Sequence, residues 1–462
     1  MAKDNSFLGT EHVGKLLLRL SVPTITAQLI NMLYNVVDRI FIGHIRNVGD
    51  MALTGVGVCM PLIMIVSAFS SLCCSGGSPR ASIFMGQGND ESAENTMGSC
   101  FTLQVIVSLL LTVFLLIWQE DLLWAFGASE NTISYAVDYM KIYALGTIFV
   151  QLTLGMNYYI TAQGYSKTAM KTVLIGAACN IVLDPIFIYA FGLGVKGAAL
   201  ATIISQAISC AWVLFFLTGK NTKLRLHSSS IVIRPKLLLP CLALGISPFV
   251  MQSSESVISI CFNASLLEYG SDIAVGAMTI LASVMQFAML PLQGLAQGAG
   301  PITSYNFGAR NAARVKESFR LLLKCSLIYS MALWALIMVF PRLFASIFTP
   351  NPALLEFTAG ALRIYCAVLG IFGLQIACQM TFLALGNAKS SITVAVVRKF
   401  VLLLPLIYLM PQLMADKTMA VYAAEPVADI LAVSFTAILF RCQFKKIMRE
   451  LELPIPKAGD TP

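Results

Sequence analysis

The sequence predicts an all-α polytopic membrane protein: twelve transmembrane helices in two six-helix lobes, related by a pseudo-two-fold axis and enclosing a central cavity. Three observations predict it. Of 462 residues, 57% are hydrophobic and 12% charged, about half the ~25% charge with which a soluble chain covers its surface. Long apolar runs recur from Leu16 to Phe440, each near the ~20 residues a helix needs to cross hydrocarbon. The two halves of the chain also repeat each other's landmarks in one register.

The apolar runs read as spans 16–43, 54–78, 96–118, 139–160, 171–191, 197–217, 237–263, 274–298, 318–340, 359–383, 391–411 and 419–440. They divide the chain into an N-terminal lobe (1–219), a joining loop (220–236), a C-terminal lobe (237–445) and a tail (446–462). The segment before Leu16 is polar (Lys3, Asp4, Glu11, Lys15) and the first run is too long for the core of a cleavable signal, so the first span is expected to remain. Most of the 12 cysteines, Cys73, Cys74, Cys100, Cys179, Cys210 and Cys261 among them, sit in apolar runs without framework or metal-ligand spacing. They read as small buried hydrophobes.

Charge placement gives the orientation. The chain ends and the loops on their face hold 23 of the 31 Lys and Arg, including Lys220, Lys223, Arg225, Arg234 and Lys236 in the joining loop. The opposite face holds Arg46, Lys196, Arg342 and Lys417, while Arg39, Lys141, Lys324 and Arg363 lie within or at the edge of spans. By the positive-inside rule both termini are expected in the cytoplasm. The net charge of +8 is thus a topology signal and gives no support to a nucleic-acid partner. Lys141 and Arg363 fit snorkelling at the outer interface.

Three pairs of segments share an offset of 222 residues. Pro79 with Gly86-Gln87-Gly88 matches Pro301 with Gly308-Ala309, and Lys141-Ile142-Tyr143 matches Arg363-Ile364-Tyr365. The third pair is Ala162-Gln163-Gly164 with Ala384-Leu385-Gly386. Six spans per half is an even number, so both halves insert the same way round, related by an axis along the membrane normal.

Leu20-Ser21-Val22-Pro23, the run from Asn35 through Asp38-Arg39 to Gly43, and Asn180-Ile181-Val182-Leu183-Asp184-Pro185 resemble the multidrug and toxic compound extrusion (MATE) transporters. The resemblance covers about residues 15–440 and, in the N-terminal lobe, is closest to the DinF-like branch. It implies a bacterial inner- or plasma-membrane antiporter that exports organic cations and drugs, driven by H⁺ or Na⁺. No organic cofactor is implied, no metal beyond a coupling Na⁺, and the expected working unit is a monomer in the lipid bilayer.

Charge inside a bilayer costs a few kcal/mol per residue on insertion scales, so acids within spans are examined first. Asp38, Asp184 and Glu255 stand out. At ~1.5 Å rise per residue, Asp38, Asp184 and Thr202 lie roughly 8–10 Å from the outer ends of three helices of one lobe. Asn180 is one turn from Asp184 on the same helix face, as Tyr34 is from Asp38. Carboxylate, amide and hydroxyl oxygens suit a hard cation such as Na⁺. Burial penalises ionisation, so the same carboxyls are equally suited to hold a proton. The family's N-lobe cation site matches Asp38, Asn180, Asp184 and Thr202. Span four is expected to add Gln151, since Asn157 falls too near the terminal end.

Glu255, in span seven, resembles the NorM-like branch's C-lobe acid, but span ten lacks that branch's aspartate. It is therefore expected to face cationic substrate in the cavity, with Met251, Met285 and Met289 as adaptable lining; Met380 belongs to the same reading. Pro23 removes a helical hydrogen bond and predicts a kink or a hinge. The mid-span charges singled out are acidic, which favours cationic cargo over the anionic cargo of a lipid-linked oligosaccharide flippase. Gly192-Leu193-Gly194-Val195-Lys196-Gly197 has no preceding strand, which excludes a dinucleotide loop. Asn263-Ala264-Ser265 lies within a span, unsuited to glycosylation. His12, His44 and His227 lie in loops or flanks, which argues against a histidine-based enzyme.

Overall fold

A computed structural model describes residues 5–453, nearly all of them helical. Twelve spans follow in order. In the N-terminal half they are α1 (Val13–Gly43), α2 (Gly49–Gly86), α3 (Asp90–Ala125), α4 (Ile133–Ala162, interrupted at Gly146), α5 (Ser166–Ala190) and α6 (Val195–Thr218). The C-terminal half holds α7 (Pro235–Tyr269), α8 (Asp272–Gly308), α9 (Ala312–Val339), α10 (Pro352–Ala384, bent by 51° between Tyr365 and Leu369), α11 (Ala388–Leu413) and α12 (Lys417–Glu452). Ten of these are single helices long and apolar enough to cross a membrane, and α10 qualifies as a bent pair. Helix α12 continues through 446–452, where the sequence predicts a tail; residues 454–462 lie outside the described residues.

The helices overrun the predicted spans because their ends protrude past the hydrocarbon, where polar caps close them. Asn89 accepts the Ser92 amide proton at 3.0 Å to cap α3, and Asn311 accepts that of Arg314 at 3.2 Å to cap α9. These caps keep the 222-residue register of the repeat. So do the helix-ending glycines Gly164 (φ +83°) and Gly386 (φ +72°), in the left-handed region that glycine enters at no steric cost. Prolines inside α1, α2, α7, α8 and α12 are tolerated because neighbouring helices re-satisfy the freed backbone.

The two halves meet along α1 with α8 and α2 with α7. Near the face carrying the chain ends, called here the terminal face, a Cβ on Gly86 would collide with the Tyr305 carbonyl, and one on Gly308 with that of Ile83. Both partners again keep the 222 register, so the contact is made twice by equivalent residues. Closer to mid-membrane, Thr24 donates to the Gly294 carbonyl at 2.5 Å, Gln28 to Gln297 at 3.2 Å and Gln252 to Ser71 at 2.8 Å. The N-terminal segment adds a strap. Asn5 accepts from Tyr165 of the first lobe at 3.1 Å, while the Leu8 carbonyl accepts from Asn306 (2.9 Å) and Arg314 (3.1 Å) of the second.

Candidate functional site

In the N-terminal lobe α1 and α5 bring two carboxyls face to face. Asp38 and Asp184 lie within hydrogen-bonding reach of each other. Asn180 donates to Asp184 Oδ1 at 3.1 Å, as the one-turn spacing predicts. Asp184 and Asn180 are almost inaccessible, at 0% and 2%, and Asp38 is half-buried. Three acceptor oxygens here, Asp38 Oδ1, Asp184 Oδ2 and Asn180 Oδ1, are buried without a donor. A buried acceptor left unmet costs about 1–3 kcal/mol, and more when charged. The arrangement therefore favours a proton or a small cation between the acids. Tyr34 stands beside both carboxyls, and Thr202 stands beside Tyr139, itself near Asp38. Asn31, Tyr34, Thr153, Asn180, Thr202 and Gln206 are among the residues lining a cavity in this lobe that reaches Asn180 but neither carboxyl.

Local sequence explains the placement. Pro185 ends the regular part of α5, and a π-helical turn over Ile186–Ala190 follows it. Such turns redirect the neighbouring side chains and are frequent at functional sites. Asp184 does not cap freed backbone, since its hydrogen-bond partner is the Asn180 side chain. Arg39, adjacent to Asp38, is exposed and forms no ion pair among the described residues.

Gln151 lies elsewhere. It is fully buried, donates to the Val66 carbonyl at 2.6 Å and receives Gln104 on its own carbonyl at 2.5 Å, knotting α2, α3 and α4 together. Depth alone suggested it; its helix face points into packing. Thr153 and Leu154, next along α4, are the side chains that line the cavity.

The C-terminal lobe departs further from expectation. Glu255 does not stand alone but pairs with Lys399 Nζ at 2.6 Å. Arg398 binds Asp429 at 2.9 Å and Glu425 at 3.2 Å, with its guanidinium 4.5 Å from the Phe372 ring centroid. The expectation that mid-span charges are acidic only is therefore corrected: Arg398 and Lys399 lie inside α11, and Glu425 and Asp429 inside α12. Taking the two bases out of the flanks leaves 21 Lys and Arg on the terminal face against the same four opposite. The signal was available as an Arg-Lys pair mid-span followed by acids at i, i+4 in the next span.

Glu255 lies on the helix face of Gln252, which reaches the first lobe. Half its side chain is accessible (51%), on the side of α7 from which Gln252 reaches Ser71 of the first lobe. Met251, one turn away on the same face, is half-buried. Met285 is drawn away from the cleft: its sulfur meets Cys366 at 3.8 Å, and both it and Met289 pack on the core of the C-terminal lobe. Met380 packs there too. Pro23 is buried within α1 beside Thr24, at the contact with Gly294.

Comparison with known proteins bears on these features together. The profile described as MatE matches residues 23–186 and again 248–409, as a duplicated architecture requires. The multidrug export protein MepA of Staphylococcus haemolyticus (strain JCSC1435) is 23% identical over 91% of this chain and 92% of its own length. A FAD transporter of Shewanella oneidensis is 24% identical over 93% and 94%. Among solved structures, a MATE protein in a bent conformation superposes with a TM-score of 0.91 at 22% identity, covering 98% of this chain and all of that one. An outward-facing multidrug resistance MATE family transporter gives 0.90, also at 22% identity, with 98% and 100% coverage.

Proposed function

Because the chain belongs to the MatE family, as two matched segments spanning most of both lobes show, we propose that it is a cation-coupled multidrug antiporter. It exports lipophilic cations by alternating access between its two lobes, with H⁺ or Na⁺ as the coupling ion. The observation that carries this reading is the facing pair Asp38 and Asp184, whose donorless oxygens with that of Asn180 make a site for one small cation. Cargo and ion must favour opposite states of the lobes, since a ligand bound equally well by both shifts nothing. Proton or Na⁺ entry between the acids stabilises one arrangement of α1 and α5, and cargo in the cleft favours the other. Tyr34 and Thr202 complete the cavity side of that site. Glu255 and Met251 front the cleft and serve the cargo.

Pro23 sits within the contact of α1 with α8, between Ser21 and Thr24, and it is the position at which α1 would bend. Similar MATE structures have been solved in bent and straight conformations, with TM-scores of 0.91 and 0.90. The 21-to-4 bias of basic residues supports cytoplasmic termini in a bacterial inner or plasma membrane. The reading needs no enzyme chemistry, organic cofactor or nucleic acid, and a monomer suffices.

A second reading, export of an anionic amphiphile, is favoured by one observation: two bases lie mid-membrane in the C-terminal lobe. Both are paired with carboxylates, of which Glu255 is the accessible one. Cationic cargo therefore leads.

The test is ethidium efflux from vesicles under separate pH and Na⁺ gradients, with Asp38→Asn, Asp184→Asn and Glu255→Gln. The first two are expected to abolish gradient-driven efflux, and Glu255→Gln to weaken ethidium handling. Uphill pumping by both aspartate variants would remove the N-lobe site. FAD movement without ethidium movement would install the anionic reading.

A further inference from the structure

The loop that joins the lobes is folded against the first of them. Gln163, just past α4, accepts the Thr222 hydroxyl proton at 2.8 Å and the amide protons of Lys223 and Leu224 at 3.0 and 2.7 Å. The stretch 230–234 then runs along α3. A Cβ on Gly98 would collide with the Ser230 carbonyl. The Ser99 hydroxyl donates to the Val232 carbonyl at 2.8 Å and accepts the Arg234 amide proton at 3.2 Å. Covered in this way, residues 96–100 are all buried. Ile106 lies two turns further along the stripe of Ser99, roughly 10 Å deeper. From there on Ile106, Leu109 and Leu110 are exposed, as apolar side chains are where a membrane helix meets lipid. The loop thus occupies the start of the lipid-facing stripe of α3, at the edge of the hydrocarbon nearest the terminal face.

The outer edge of the loop carries two chemistries. Ile231, Val232 and Ile233 are exposed, at 38%, 51% and 39%, and Arg234 and Lys236 follow directly. The Arg234 guanidinium donates to the carbonyls of Ser229 at 3.2 Å and Ser230 at 3.4 Å. Lys236 is exposed and enters no ion pair among the described residues. No Asp or Glu occurs between Gly219 and Lys236. The α3 acids that reach the loop are engaged, Asp90 by Lys223 at 2.6 Å and Glu94 by the Arg225 amide at 2.8 Å.

We propose that this loop is an interfacial anchor for anionic phospholipid: Ile231, Val232 and Ile233 enter the acyl edge of the leaflet on the terminal face, and Arg234 and Lys236 hold the phosphate of a lipid headgroup. That boundary supplies acyl carbon to the apolar edge and negative charge to the two bases. Irregular backbone is excluded from hydrocarbon when its polar groups are unpaired. Here Ser99 takes the Val232 carbonyl and the Arg234 amide, and the Val232 amide donates to the Ser230 carbonyl at 2.8 Å. A soluble protein with an acidic, apolar face would match the same side chains. The seat of the loop on the lipid stripe of α3 favours the membrane. Since α7 begins at Pro235, the headgroup is held at the covalent joint between the lobes. The anchor is independent of cargo and of coupling ion.

The experiment uses the full chain with Cys442→Ser, which removes the exposed cysteine, in nanodiscs of phosphatidylcholine and phosphatidylglycerol. A spin label is placed singly at Val232→Cys, Ser229→Cys or Leu110→Cys. Collision with oxygen and with a water-soluble nickel chelate measures the depth of each. The Val232 label is expected to favour oxygen, as the Leu110 label does, and the Ser229 label to favour the chelate. A Val232 label that behaves like the one at Ser229 overturns the proposal and leaves the edge to water or a soluble partner. Headgroup choice is read from the broadening of the Val232 signal by spin-labelled phosphatidylglycerol against spin-labelled phosphatidylcholine. The anionic lipid is expected to broaden it severalfold more. Lys236→Gln, whose side chain holds nothing within the loop, should leave the depth unchanged and cut that preference about fivefold. Equal broadening by the two lipids, or a preference that Lys236→Gln leaves whole, overturns the headgroup site.

Discussion

Replacing Arg398 with methionine isolates the anchor of the C-terminal lobe. The guanidinium makes two ion contacts, 2.9 Å to Asp429 and 3.2 Å to Glu425, among side chains each 7% accessible. At about 3 Å and an effective dielectric near 20, Coulomb's law assigns roughly 5 kcal/mol to each contact before desolvation is charged against it. Most of that gain is offset by the cost of burying the three charges. The deletion is less forgiving. R398M leaves Glu425 and Asp429, one turn apart on α12, as like charges without a partner, and breaking a buried pair in this way costs about 3–5 kcal/mol. The Phe372 contact at 4.5 Å is lost as well, adding about 1 kcal/mol. Fluorescence-detected size-exclusion after heating should therefore show a large fall in the midpoint for R398M. The triple variant R398M/E425Q/D429N, which removes the orphaned charges, should recover most of it. If R398M melts with the unmodified protein, or if the triple variant is no better than R398M, the cluster does not anchor the lobe.

Other outcomes follow from the same geometry. Gln151→Leu should lower the folded yield through about 1–3 kcal/mol from the lost buried bond to the Val66 carbonyl, Gln104 keeping the backbone carbonyl of position 151 and Ser70, while efflux per folded molecule is unchanged; a loss of coupling would return Gln151 to the ion site. In sodium-free buffer the unmodified protein should lose thermal stability as pH rises, because ionising both Asp38 and Asp184 sets two like charges together without a donor. Added Na⁺ should restore stability, and Asp184→Asn should flatten the profile. Gly86→Val and Gly308→Val should each prevent close approach at the terminal face, by way of Tyr305 and Ile83 respectively, and expose engineered cysteines there to a water-soluble maleimide. Equal labelling in both variants and the parent would refute that. Arg314→Ala removes bonds of 3.1 and 2.7 Å to the carbonyls of Leu8 and Glu11 and should speed proteolysis of the N-terminal segment.

Much of this molecule is legible in its sequence, for a physical reason. Hydrocarbon demands that each crossing be apolar and helical, so the spans and the repeat appear as runs and intervals. Asp38, Asp184 and Asn180 were findable because a lone acid in such a run is conspicuous and i, i+4 spacing places its helper. Three things were not legible. Gln151 has the right depth and the wrong azimuth, which no count of rise per residue reveals. Met285 and Met289 share the composition of a cavity lining, yet helix α8 turns them toward its own lobe. Arg398 and Lys399 passed for flank residues because regular periodicity cannot bury two adjacent bases. Only the π-helical turn over Val397–Leu403 does so, and its reason lies in partners on other helices.

The doubled meeting of Gly86 with Tyr305 and Gly308 with Ile83 has a mechanical consequence. Each lobe grips the other by the same backbone notch, so neither can tilt at that end without its counterpart tilting by a like amount. A fulcrum of this kind transmits whatever happens on one arm to both. The arms carry different chemistry, acids without a donor on one and a saturated lattice of charges on the other, and under the proposed coupling an ion bound on one arm would act on both.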